Sequence, residues 1–273
     1  MNCSLRIKEV KEISVLVSEK YNIDINSFTY VSLKIKIEQF CVDYKISSAS
    51  ALIEKLKIST NLLNELVAFI FINEFELFRD PALWRSIRDE VLSTFTRDIQ
   101  YKVWFPSCFE GGELISFLIL RDELKLTNRI KVIYTTPLEE LNRVKEGFVY
   151  EERKHNINLS NYKRIEGHEL PEKYFVKQAN IIKPLEELFE NTVHEEFCEA
   201  RDGAYKKNVN LIVYRNKLLN FNRKQQVDIV DNLIDSLKTG GFLALGVKEV
   251  LVDDANREKF IIFNKKESLY KKH

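Results

Sequence analysis

The chain is poor in the residues that mark special-purpose proteins. Its 273 residues include four cysteines, five prolines, eight glycines, one methionine and two tryptophans. No Cys-x-x-Cys occurs, and Cys3, Cys41, Cys108 and Cys198 lie far apart. That excludes a zinc-ribbon pattern and argues against a disulfide framework in a chain of this size, so a reducing, cytoplasmic setting is expected. The histidines do not cluster. His194 and Cys198, at i and i+4, could share a helix face, but no two further ligands stand near them, so no metal is expected. Charge of one sign is also missing. With 42 basic against 41 acidic residues the net charge is +1, which lacks the basic excess of a nucleic-acid binder. Long apolar runs are absent too. "LLNELVAFIFINEF" is interrupted by Asn64, Glu65, Asn73 and Glu74, too short and too polar to cross a bilayer. The closely spaced charges of "MNCSLRIKEVKEIS" do not suit a signal peptide.

What remains is an ordinary globular composition, 45% apolar, sufficient for a sizeable core. Over the first ninety residues the apolar side chains recur at helical spacing: Val10, Ile13, Leu16 and Val17, then Leu33, Ile37, Phe40 and Cys41, then Leu52, Ile53 and Leu56. "SSAS" (Ser47 to Ser50) is a helix start, and "RDPALW" places Asp80 as a cap before Pro81 at the first position of a helix running to about Val91. From Tyr101 the pattern changes to short apolar runs: "YKVWF", "IKVIY", "YFVKQAN", "VNLIVY", "GFLALG" and "KFIIFN". The intervening segments "ELISFLILRDEL", "PLEELNRVKEG" and "KQQVDIVDNLIDSL" read as helices. Alternation of this kind implies a parallel sheet with right-handed crossovers. The last two runs, near Lys259–Asn264 and Leu269–Lys272, read as a closing hairpin. The expected architecture is a small helical domain, residues 1–95, followed by a doubly wound α/β domain, residues 96–273.

Ligands of such sheets bind at the carboxyl ends of the strands, where the strand order reverses. The turn "SCFEGGE" offers Gly111 and Gly112 at a helix start. At the end of the next strand, where an acid could accept both ribose hydroxyls, the chain has Thr135, Thr136 and Pro137. The first acids beyond, Glu139 and Glu140, read as helical and water-facing. Arg215 and Asn216 follow directly after the strand of "NVNLIVYRN", at the functional edge.

Taken in order, several segments resemble the CheR-type chemotaxis receptor methyltransferases, S-adenosylmethionine-dependent enzymes that esterify protein glutamates. "FINEFELFRDPALW" is similar to the family's Asn-x-Thr-x-Phe-Phe-Arg-Asp segment. "VWFPSCFEGGELISF" stands in the place of its Ser-Thr-Gly-Glu-Glu loop. "VNLIVYRNKLLNF" is similar to its Cys-Arg-Asn strand end, and "LKTGGFLALGVKEVL" to its Gly-Gly-x-Leu-x-Leu-Gly-x-Ser-Glu segment. The resemblance implies a Rossmann-like methyltransferase sheet, S-adenosylmethionine as cofactor and a protein partner of chemoreceptor type. It implies cofactor contacts at Asn73, Arg79, Glu113, Asn180, Ile181, Arg215 and Asn216, with Arg79 orienting a carboxylate. The departures are Phe75 for the family's threonine, Gly112 for one of its paired glutamates, Thr135 for its ribose aspartate and Asn220 for the tyrosine near the methyl. The stretch from Gly147 to Tyr174, where the family keeps a β-subdomain, reads as shortened. A degenerate cofactor loop is therefore expected, in an active enzyme or in a non-catalytic interaction module.

Overall fold

Apolar side chains at helical spacing, with few breakers between them, fold the N-terminal part into helices. The computed structural model describes residues 3–21, 23, 25–71, 75–95, 99–139, 142–166, 171–196, 208–251 and 254–273. In it α1 (Ile7–Tyr21), α2 (Tyr30–Asp43), α3 (Ala49–Ile58) and α4 (Thr60–Phe71) follow one another. α2 buries the expected Leu33, Ile37, Phe40 and Cys41, and α3 the expected Leu52, Ile53 and Leu56; in α1 Val10, Ile13 and Val17 are buried and Leu16 is half-buried. Thr29 and Ser48 accept the backbone N–H groups of Ser32 and Ala51, satisfying one orphan donor at the start of α2 and of α3.

This helical unit comprises residues 1–72 and takes back residues 217–228 from much later in the chain. The returning segment is held by backbone bonds, Thr29 N–H to the Asn220 carbonyl (2.7 Å) and Asn222 N–H to the Ser27 carbonyl (2.9 Å). Its Phe221 ring lies 4.6 Å from that of Phe28.

The second unit holds residues 73–216 and 229–273. The division therefore falls earlier than position 95, because Leu77, Phe78, Leu83, Trp84, Ile87, Val91 and Leu92 belong to the core of the sheet. Helix α5 (Pro81–Ser86) starts at proline as expected and continues as a π-turn over Ile87–Val91. Asp80 precedes it in a left-handed conformation, but its carboxylate makes no cap bond.

After α5 come β1 (Tyr101–Phe105), α6 (Gly112–Glu123), β2 (Ile130–Thr136), β3 (Phe148–Val149), α7 (Glu152–Arg164), β4 (Phe175–Gln178), β5 (Ile181–Pro184), β6 (Thr192–Glu196), β7 (Val209–Val213), α8 (Arg223–Ser236), β8 (Leu237–Ala244), β9 (Phe260–Asn264) and β10 (Leu269–Lys272). The large sheet has seven strands in the order β6-β2-β1-β7-β8-β10-β9. β6, β2, β1, β7 and β8 are parallel, and β10 is antiparallel to both of its neighbours. All five residues of β7 are buried, as in strands covered on both faces. Arg121, 1% exposed, fastens the end of α6 by donating to the carbonyls of Ile130, Leu188 and Glu190. Burial lowers its pKa to about 10.

Three expectations change. "YFVKQAN" supplies β4 of a separate three-stranded sheet, order β3-β5-β4, and not a strand of the large one. The third parallel strand is instead the polar β6. The stretch from Gly147 to Tyr174 holds β3 and α7, and the small antiparallel sheet is completed beyond it by β4 and β5. "PLEELNRVKEG" forms no α-helix in its described residues. Arg143 N–H bonds the Phe109 carbonyl at 2.8 Å, and Val144 packs against Gly111, so tertiary contacts override its helical spacing.

Candidate active site

The strand order reverses between β1 and β7, so the loops leaving these two strands border the crevice of the sheet. After β1 the chain turns through Ser107 at φ 49° and Gly111 at φ 80°, and α6 begins at Gly112. A Cβ on Gly112 would lie 2.9 Å from the carbonyl oxygen of Glu76. Only glycine admits that approach of backbone to helix start.

The segment pressed against α6 is Phe75–Asp80, and it is pinned along its length. Leu77 N–H donates to Asn158 Oδ1 (2.9 Å), and Asn161 Nδ2 donates to the Leu77 carbonyl (3.0 Å) and to Glu76 (2.8 Å). Phe78 N–H donates to Ser116 Oγ (2.8 Å), which donates onward to the Gly112 carbonyl (2.6 Å). Trp84 Nε1 donates to the Arg79 carbonyl at 2.9 Å. Phe75 stacks on Phe148 at 4.0 Å between ring centroids.

Arg215, 1% exposed, joins this segment to the sheet. Its Nη2 meets the Asp80 carboxylate at 2.9 Å, its Nε donates to the Leu245 carbonyl at 3.1 Å, and its Nη1 lies 3.5 Å from the Arg79 carbonyl. Asp80 therefore pairs with Arg215 and neither caps α5 nor pairs with Arg79. Glu249, a residue the sequence reading did not single out, is 1% exposed. It accepts the N–H groups of Asn216 (2.9 Å) and Gly246 (2.6 Å). Burial raises the pKa of nearby Glu267, as does the Asp80 charge, while Arg215 opposes the shift. The Arg79 side chain stays 40% exposed, with Glu76 at 3.9 Å. Its backbone is fixed while its guanidinium reaches solvent.

At the end of β2, Thr135 is fully buried. Its hydroxyl accepts the Trp104 indole N–H (3.2 Å) and its carbonyl accepts Cys108 N–H (2.8 Å). His194 lies on β6, so no helix face is shared with Cys198, which is outside the described residues. Its Nδ1 is 2.6 Å from Glu139, and its Nε2 is 2.8 Å from the Thr136 hydroxyl, which donates to the Leu138 carbonyl. Glu139 is thus exposed but in contact with the His194 ring; Glu140 lies outside the described residues.

The structure brings Arg79, Arg215 and Asn216 together, and Glu113 lies on the first turn of α6 beside Gly112. Asn73 is outside the described residues. Asn180 lies in the turn between β4 and β5, where its carbonyl accepts Tyr150 N–H at 2.6 Å, and Ile181 is the first residue of β5. They belong to the small sheet, not to a strand end of the large one, because "YFVKQAN" pairs there. Asn220 lies in the helical unit, and its Oδ1 accepts the Ser32 hydroxyl at 2.9 Å.

A mostly parallel seven-stranded sheet with a C-terminal hairpin, and polar groups gathered at its switch point, defines a Rossmann-like methyltransferase domain. The family profile described as CheR methyltransferase, SAM binding domain, matches residues 73–267. The chain belongs to the CheR methyltransferase family, and the cofactor of this domain is S-adenosylmethionine. A Pseudomonas putida protein provisionally named methyltransferase Cher3 is 27% identical over 97% of this chain and 96% of its own length. The chemotaxis protein methyltransferase of Listeria innocua is 23% identical over 88% and 89%. The N-methyltransferase NodS of Bradyrhizobium japonicum, solved with S-adenosylhomocysteine, covers 74% of this chain and 94% of its own at 11% identity and a TM-score of 0.39. A likeness at that level adds nothing to the assignment.

The residues present fit this cofactor unevenly. The half-exposed Arg79 guanidinium, with Glu76 at 3.9 Å, is a cation of the kind a carboxylate requires. At the end of β2 stand Thr135 and Thr136, and the Thr135 hydroxyl accepts the Trp104 indole N–H. Gly112, in place of an acid, abuts the Glu76 backbone.

Proposed function

We propose that this chain methylates a carboxylate of a protein, a glutamate side chain, and that it grips its cofactor weakly. The observation that carries this reading is the linked set Arg79, Asp80, Arg215, Asn216 and Glu249 at the switch point. S-adenosylmethionine supplies, when bound, an electrophilic methyl group on sulfonium. A glutamate carboxylate is nucleophilic at neutral pH, so the protein's task is to hold it in line for attack and keep water out. Arg79 orients a carboxylate, that of the cofactor or of the substrate. Asn73, Glu113, Arg215 and Asn216 are proposed as further cofactor contacts. For Asn180 and Ile181 the support is the family resemblance alone. The relatives named chemotaxis protein methyltransferase support a protein substrate of chemoreceptor type. Among the described residues no helix is long and apolar enough to cross a membrane, and a cytoplasmic site of action is proposed with it.

Loss of the ribose carboxylate costs about 1–3 kcal/mol, the range of a charged hydrogen bond left unmade, or roughly ten- to a hundred-fold in affinity. Calorimetric titration with S-adenosylhomocysteine is therefore expected to give weak binding that Thr135→Asp tightens by about that factor. Tritiated methyl groups should enter a chemoreceptor preparation and be released by mild base, as esters are. Low-micromolar binding by the unaltered chain would remove the weak-grip part of the proposal.

A second reading, a non-catalytic interaction or regulatory module, draws on the Gly112–Glu76 contact and the occupied Thr135 hydroxyl. It is distinguished by absent S-adenosylhomocysteine binding in both the unaltered chain and Thr135→Asp, with no base-labile label.

A further inference from the structure

A cavity of about 270 Å³ lies between the three-stranded sheet and α7, apart from the loops that follow β1 and β7. Its walls include Phe148, Tyr150, Phe175 and Ile182, with Leu77 on the side of the Arg79 segment. Phe148 and Phe175 meet edge to face at 81°, and the outer face of Phe148 is closed by the stacked Phe75 ring. Lys177 holds its ammonium 4.1 Å from the centre of the Tyr150 ring.

Beside the half-buried His155 and the exposed Glu172 and Lys177, the lining holds one buried polar side chain. Asn158 lines the cavity and is only 7% exposed. Its Oδ1 accepts Leu77 N–H at 2.9 Å, which fixes which end of the amide is the oxygen. Its Nδ2, a two-proton donor, has no acceptor among the described residues. A donor held in this orientation at the wall of a largely apolar cavity favours a ligand that brings an acceptor.

We propose that this cavity binds a small planar aromatic molecule bearing a carbonyl oxygen. The ring lies among Phe148, Tyr150 and Phe175, where offset and edge-on aromatic contacts are available. The carbonyl accepts from Asn158 Nδ2. The volume is just below that of pockets for drug-sized ligands and suits a single ring system. The same Asn158 amide holds Leu77, two residues before Arg79, so occupancy is transmitted to the segment that carries the arginine.

Titration of the ¹⁵N-labelled full chain with benzamide tests this. Progressive, saturable shifts are expected in the Asn158 side-chain amide and the His155 ring signals, with cyclohexanecarboxamide binding at least tenfold more weakly. Asn158→Asp retains the acceptor for Leu77 and removes the donor, and benzamide affinity should fall at least tenfold. The unaltered chain suffices for the first two measurements, so a variant that fails to fold does not rescue the idea. Millimolar benzamide that leaves these signals unmoved would overturn the proposal, as would equal binding of the cyclohexane analogue. So would a short phenylalanine-containing peptide that shifts the signals where benzamide does not, because the cavity would then serve a protein partner.

Discussion

Arg215 and Asn216 stand out in the sequence because they follow an apolar strand, yet their partners lie far away along the chain. Asp80 is 135 positions from Arg215, and Glu249 is 33 from Asn216. Glu249 closes "LKTGGFLALGVKE", a segment that reads as a glycine turn feeding a strand, and local spacing alone does not mark it as a buried acid. Its value comes from two backbone N–H groups aimed at one carboxylate oxygen. Glu249→Ala strands both donors in a buried site and is expected to cost about 3 kcal/mol, from one to two unmet groups. Urea denaturation measures it, and Glu249→Gln, which keeps an acceptor, should recover part of the loss. Thr135 illustrates the reverse case. Its identity was legible as a missing acid, but the Trp104 indole that occupies its hydroxyl was not.

Among elements, the strongly periodic ones were readable: α1 to α4, α6, α8, β1, β2, β7, β8 and the closing hairpin of β9 and β10. β3, α7, β5 and β6 were not, and two stretches misled for opposite reasons. β6 is an edge strand with a polar sequence, TVHEE, and its pairing with β2 alone demands little apolar surface. The stretch 137–147 has helical spacing, but its Arg143 and Val144 are engaged by Phe109 and Gly111 of the loop after β1. The start of α6 shows how an element can be tuned to its neighbour. A restoration of side-chain bulk at Gly112 looks harmless, or even favourable, by helix propensity. Because its Cβ would press on the Glu76 backbone at 2.9 Å, Gly112→Ala is expected to lower stability by about 1–3 kcal/mol, as overpacking does. It should also weaken S-adenosylhomocysteine binding, since the Arg79 segment must move. A raised melting temperature for Gly112→Ala would contradict the close approach.

For the molecule as a whole, the large sheet ends in β9, whose Ile261 and Ile262 are 50% and 58% exposed. An apolar edge strand is a template for unwanted pairing. Ile262→Lys is expected to reduce light scattering during heating while leaving the melting temperature within about 1 °C, since an exposed position contributes little to packing. Unchanged scattering would mean that the edge is covered. The division into units also belongs to this scale. Composition changes near residue 95, but residues 75–95 fold with the sheet and residues 217–228 with the helices. Burial follows the apolar surface that each segment can find, not the point where the pattern changes.

The sequence by itself determined the local and the periodic: helices from their 3.6-residue stripes, parallel strands from apolar runs, the order of motifs that marks the family, and the threonines that end β2. Only the tertiary structure decided which polar groups meet, that "YFVKQAN" belongs to a second sheet, and that Gly112 faces backbone. Periodicity reports which face of an element is buried, whereas partners across the fold are chosen by shape and hydrogen-bonding demand over separations that no local pattern records.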